Sequence, residues 1–181
     1  MRTLGLTLLT LAYPVLVYFG LNHQIEPRWL ALLLVAISLM RAAFGRERVW
    51  LVAACGALVL AAFSFWGNQA MPLKLYPVLV SLTLLCVFSI SLVYPPTVIE
   101  RLARLHEPEL PAAGVAYTRR VTQVWCGFFV FNGTVSLLTA VWASDAAWAL
   151  YNGMISYILM GVLFVGEWLL RKRVKSRALH G

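Results

Sequence analysis

The chain has 181 residues, of which 61% are hydrophobic and only 12% charged, and it carries a formal net charge of +8. So little polar surface cannot coat a soluble domain of this size, which makes lipid the expected solvent for most of the chain. A basic balance in a soluble protein would suggest nucleic acid. Here the cations lie between apolar runs, so nucleic acid is set aside and membrane lipids are the expected partners.

About 20 apolar residues cross a bilayer core, and six runs qualify, at 3–21, 28–44, 49–66, 74–93, 118–142 and 147–170. The expected fold is an all-α polytopic membrane bundle, a single domain over 1–181 with six transmembrane helices. The first run follows Arg2 as a secretory leader would, but VYFGLNHQ after it lacks a small-x-small cleavage pattern, so a retained signal anchor is expected. The second is short and reaches Arg41, whose guanidinium must snorkel to the interface. With the N-terminus in the cytoplasm, only Arg28 and Lys74 of the 15 Lys and Arg residues fall outside. The positive-inside rule therefore places both termini in the cytoplasm, with a basic tail at 171–181.

The pentapeptide YPVLV occurs at 13–17 and again at 76–80, in the first and fourth runs. Such an echo fits a three-plus-three inverted repeat, or chance recurrence in a Val- and Leu-rich chain. Kinks are expected at Pro14 and Pro77, where a helical hydrogen bond is lost. Cys55, Cys86 and Cys126 stand singly on three runs and read as small packing residues.

The cytoplasmic loop 95–117 is the one sizeable polar stretch before the tail. Thr97 and Glu100 form a capping box after Pro95 and Pro96, which predicts a short interfacial amphipathic helix over 98–107. Val98, Ile99, Leu102 and Leu105 form its apolar face, and Pro108 ends it. Glu100, Arg101, Arg104 and Glu107 are the candidate partner-docking residues; the same stripe also fits a simple tether.

The fifth and sixth runs are joined by about four residues around Ser144 and Asp145, so they are expected to lie antiparallel and adjacent. At 100° per residue, Arg119, Gln123, Cys126, Gly133, Thr134 and Leu137 share one face, and Asn152, Ser156, Leu163 and Glu167 share another. Bringing these faces together predicts a polar seam with an Arg119–Glu167 pair at its cytoplasmic mouth; Glu167 with Arg171 is the alternative. Arg119, Arg120 and Gln123, with Arg171 and Lys172, form a candidate cup for an anionic head group. Asn132 points away from this seam, beside Trp125, Phe129 and Ser136, and reads as an interhelical hydrogen-bonding residue. Asn132-Gly133 and Asn152-Gly153 both suit close helix packing.

One aspartate, Asp145, and three scattered histidines, His23, His106 and His180, supply too few groups for a convergent metal site or a nucleophilic triad. No cofactor, metal or self-contained catalytic set is expected, and no acidic or basic residue falls near mid-span as ion-coupled transport requires.

The runs YPPTVIERLARL and YTRRVTQVWCGFFVFNG, with Glu167-Trp168 closing the last span, resemble small bacterial inner-membrane proteins encoded beside aryl polyene and related polyketide-like fatty-acid synthesis genes. The resemblance implies work alongside acyl carriers, ketosynthases and membrane acyltransferases on a lipid-linked product, and it carries no catalytic residues. A non-catalytic accessory is the expected function. A lipid or polyene translocator, and a membrane enzyme completed by a partner, are the alternatives.

Overall fold

In the computed structural model the backbone is described for residues 2–44, 48–105 and 107–180, and side chains within helices for 12–40, 54–105 and 107–169. The described residues form α1 (Arg2–Asn22), α2 (Pro27–Phe44), α3 (Arg48–Gly67), α4 (Met71–Lys74), α5 (Tyr76–Val93), α6 (Val98–Arg104), α7 (Ala112–Trp142) and α8 (Asp145–Leu150). A π-helical turn (Tyr151–Ile155) then leads into α9 (Ser156–His180). No strand occurs among the described residues.

Three helical stretches are long and apolar enough to cross a membrane: Met71–Val93 (23 residues), Ala112–Trp142 (31 residues) and Asp145–Leu169 (25 residues). Pro27–Met40 and Ala54–Gly67 are shorter apolar helices. At 1.5 Å per residue α7 reaches about 46 Å, longer than a hydrocarbon core of about 30 Å, so it begins well before the apolar run that sequence marks at 118. The side chains of Arg41 and of the tail 171–181 lie outside the described residues.

The chain reverses twice through turns that end on a left-handed residue. After α1, Gln24 has φ 58 and Ile25 N–H donates to Gly20 O at 2.9 Å; after α3, Asn68 has φ 46 and Gln69 N–H donates to Ser64 O at 3.3 Å. Both are the six-to-one closure that satisfies carbonyls left open at a helix end. The closest backbone packing joins α2 to α3 and α5 to α7. Gly56 faces Leu79 and Gly133 faces Ser81, and a Cβ added at either would come within 2.8 Å and 3.2 Å of its neighbour. These glycines set the approach of α3 and α7 to α5.

Two apolar clusters result. The larger runs through α1, α2, α3, the α4–α5 junction and α8, with Tyr13, Leu34, Ile37, Ala57, Leu73 and Trp148 fully or nearly fully buried. The smaller centres on Val121, Trp125 and Phe129 of α7, packed by Phe88 of α5, Ile99 of α6, and Met160 and Leu163 of α9.

The fourth sequence run is broken at Leu75, where α4 stops and α5 starts. Proline chemistry explains the break. Pro77 has no N–H for the carbonyl four residues earlier, that of Leu73. The Tyr13 hydroxyl donates to that oxygen instead, at 3.1 Å, and Trp148 Nε1 donates to Lys74 O at 3.1 Å. The repeated Tyr-Pro steps thus meet: Tyr13 and Tyr76 stack edge to face with ring centroids 4.8 Å apart. At Pro14 the chain stays helical, so only one of the two expected prolines interrupts its helix.

Candidate functional site

The middle of the bundle holds a polar junction of three helical segments. Asn132 of α7 donates from Nδ2 to Ser81 Oγ of α5 at 3.1 Å, and its Oδ1 accepts from the Tyr151 hydroxyl at 3.1 Å. One turn along α7, Ser136 Oγ donates to Asn152 Oδ1 at 2.7 Å, and Asn152 Nδ2 donates to Trp148 O at 3.0 Å and to Thr139 Oγ1 at 3.4 Å. Ser81, Asn132, Ser136, Tyr151, Asn152 and Ser156 are all buried. In a low-dielectric interior an unpaired polar group costs far more than a paired one returns, which is why this set is closed on itself.

The π turn depends on the same residues. Widening the helix moves Ser156 N–H from Asn152 O to Tyr151 O, five residues back. Asn152 O is then covered by Ser156 Oγ at 3.4 Å, while Asn152 Nδ2 supports Trp148 O. Gly153 lies against α1, where a Cβ would meet Val15 Cγ2 at 2.8 Å. Asn152 and Ser156 were singled out in the sequence as members of a seam, and here they hold the distorted turn together.

The buried face of α7 is Thr118, Thr122, Trp125, Phe129, Asn132, Ser136 and Ala140, at helical spacing. This face lies about 100° round the helix from the expected seam, of which Gly133 alone is buried. Arg119, Arg120 and Gln123 are exposed and are not brought to Asn152 or Ser156. The expected Arg119–Glu167 pair does not form among the described residues. Arg119 Nη1 donates instead to Leu92 O of α5 at 2.9 Å, and Glu167 is met through its backbone carbonyl by the Tyr117 hydroxyl at 3.2 Å. Physically, the aromatic and small hydroxyl side chains of α7 gain most from burial, while a guanidinium near a helix end reaches outward to polar surroundings. The expected antiparallel course does hold: Ser136 bonds Asn152, and further from the connection Trp125 meets Phe164 edge to face with centroids 5.3 Å apart. Contact between α7 and α9 is made through the partly buried side chains of Met160 and Leu163 and the ring of Phe164, while α7 packs its backbone closely on α5.

At the Arg119 end the loop is a folded clasp. Thr97 Oγ1 accepts from Glu100 N–H at 3.2 Å, the expected N-cap. The expected reciprocal half of the box is replaced: Glu100 is buried, and its Oε1 accepts from Arg104 Nε at 3.0 Å and Nη2 at 2.8 Å. Arg104 Nη1 also reaches Pro108 O at 2.9 Å. The helix ends at Arg104 rather than at 107, because the residue before a proline is disfavoured in helical geometry. Of the four candidate docking residues, Glu100 and Arg104 are turned into this clasp, Glu107 is half-buried, and Arg101 is exposed with its Nε on Pro96 O at 3.0 Å. Leu102 and Leu105 project outward, while Ile99 and Ala103 pack inward.

At the opposite end Lys74 pairs with Asp145, and Glu26 pairs with Arg28. The Arg28 guanidinium, hydrogen-bonded to the Glu26 carboxylate, holds that carboxyl below its ordinary range. Among the described residues no group of three or more His, Cys, Asp or Glu side chains is placed to hold a metal.

No protein-family model, curated protein or solved structure matches the chain. The sequence reading passed over Ser81, Tyr151 and Thr139; Asn132 makes the interhelical hydrogen bonds expected of it, but its place in a shared junction with Ser136 and Asn152 was not anticipated. The available signal was the 118-122-125-129-132-136 spacing of small polar and aromatic residues in α7.

Proposed function

We propose that the chain is a non-catalytic accessory of a bacterial inner membrane, crossing it six times with both termini in the cytoplasm. One observation carries this reading: the polar groups at mid-bundle are hydrogen-bonded to one another, while exposed cations and exposed leucines gather around the loop at the Arg119 end. Interior polarity then serves packing, and the surface offered to other molecules is the loop. The sequence resemblance supplies the setting, a pathway that assembles an aryl polyene type lipid-linked product. In that setting α6 docks an acyl-carrier, ketosynthase or acyltransferase partner through Leu102 and Leu105. The mutual pairing of the mid-bundle polar groups favours this over translocation, which would need polar groups left free to line a path between spans.

Co-purification in mild detergent tests the docking, comparing the native chain with Leu102→Ser/Leu105→Ser. Loss of partner recovery with an unchanged melting temperature is the expected result, and equal recovery would remove the docking role. Cysteine labelling of intact cells at Ala116 tests the topology: protection is expected, and labelling from outside would reverse the orientation.

A further inference from the structure

The turn between α5 and α7 ties down two arginines that come from different helices. Leu92 is one residue from the end of α5, and its carbonyl would be bonded by the N–H four residues on. That residue is Pro96, which has none. Arg119 Nη1 takes the vacant acceptor at 2.9 Å, and Arg101 Nε takes Pro96 O, four residues further along the same turn, at 3.0 Å. The negative end of the α5 dipole adds to the attraction for both. Each guanidinium has one of its five N–H groups fixed and the rest directed elsewhere.

No carboxylate pairs with Arg101 or Arg119 among the described residues; Glu100 is occupied by Arg104. Both arginines are exposed, and the surface around them is apolar: Val93, Tyr94, Leu102 and Leu105 are 69%, 71%, 53% and 77% exposed. The exposed Val93 and Tyr94 at the end of α5, beside guanidinium groups without a carboxylate partner, suit the boundary between acyl chains and head groups, while Leu102 and Leu105 stay on the partner side of α6. Because the side chains are already held, less rotamer entropy is lost when an anion binds. Planar guanidinium forks match phosphate oxygens.

We infer that Arg101 and Arg119, held on the Leu92 and Pro96 carbonyls, form a binding site for the phosphodiester of an anionic phospholipid in the leaflet that contacts this turn. This rests on the membrane setting proposed above and names the lipid class that the loop recognises. Arg120, one residue along α7 and bonded to neither carbonyl, lies outside the site.

The test uses the full chain in nanodiscs of mixed phosphatidylglycerol and phosphatidylcholine, extracted and scored for retained lipid by native mass spectrometry. The native chain is expected to retain phosphatidylglycerol preferentially. Arg101→Gln and Arg119→Gln should each reduce the preference about fivefold, and the double variant about 25-fold. Arg120→Gln should change it less than twofold. Arg119→Lys, which keeps the charge and a donor for Leu92 O, should fall between native and Arg119→Gln and also serves if the Gln variant does not fold. Retention without headgroup preference, an undiminished preference in the double variant, or an equal loss in Arg120→Gln would each overturn the site. So would binding of inorganic phosphate that abolishes lipid retention in the double variant and native chain alike. Partner recovery and Ala116 labelling are read separately, so a failure here is distinguishable from a failure of the docking role.

Discussion

At the Trp148 end the larger apolar cluster is built from small and branched side chains set close together, with Trp148 and Tyr13 each donating to a carbonyl beside a proline break. At the Arg119 end the described core is three residues of α7 wrapped in aromatic rings, and the loop is closed by arginines bonded to carbonyls and to Glu100. The first end gains its cohesion from dense contacts that leave little room for rearrangement. The second depends on long side chains whose contacts can be exchanged for those of a lipid or a partner. Under the proposed function, stability and recognition divide between the two ends, with the hydrogen-bonded junction of α5, α7 and the π turn between them.

Substitutions at each end should separate the two roles. Trp148→Ala removes a fully buried ring and leaves Lys74 O without its donor, and should cost about 3–5 kcal/mol, read as a large fall in the detergent melting temperature. If the Trp148 end is no more cohesive than the other, Trp125→Ala will match it. Arg104→Ala leaves the buried Glu100 carboxylate without its partner. Arg104 is itself part-exposed, so a loss of about 1–2 kcal/mol is expected, with faster proteolysis between α6 and α7 as the local readout. In the junction, Asn132→Ala or Asn152→Ala should each cost about 1 kcal/mol, the range measured for interhelical bonds in lipid. A double-mutant cycle of Asn152→Ala with Ser136→Ala should show coupling, and strict additivity would mean that the 2.7 Å contact adds nothing.

The smallest effect is expected at Glu26. Its carboxyl is held below the ordinary value by Arg28, so the folded chain binds a proton there less readily than the unfolded one. Any stabilisation is present above the ordinary carboxylate pKa and disappears as pH falls through the lowered value. Both side chains of the pair are about half exposed, so the melting temperature should not move with Arg28→Ala, while a carbon-13 titration of Glu26 should shift upward.

Helix positions were legible because hydropathy reports directly on length in an apolar solvent. The expected runs 28–44 and 49–66 coincide with α2 and α3 to within a residue. That α7 and the last helix run antiparallel followed from the short connection at Ser144, but the Ser136–Asn152 bond did not. Which side of α7 turns inward did not follow, because the charged residues drew the reading toward Arg119 while packing selected Trp125, Phe129 and Asn132. The expected Arg119–Glu167 pair failed for a second reason, while the alternative partner of Glu167, Arg171, lies outside the described side chains. A π turn inserts a residue relative to a regular helix and shifts the phase of everything after it by about 100°, and nothing in the letters YNGMI announces that. The arginine-bearing turn was half legible: Pro96 signals a missing donor for Leu92, but that Arg119 supplies the replacement is a long-range fact.

The break at Leu75 bears on the order of assembly. Its two stranded carbonyls are covered by groups from far apart in the chain, Tyr13 lying 60 residues before Leu73 and Trp148 lying 74 residues after Lys74. At ribosomal rates of about 5–20 residues per second, the fourth segment waits roughly 4–15 s for the tryptophan after the tyrosine is already at hand. During that interval Lys74 O depends on water for its hydrogen bond, so the α4–α5 elbow reaches its final form only after α8 has been made.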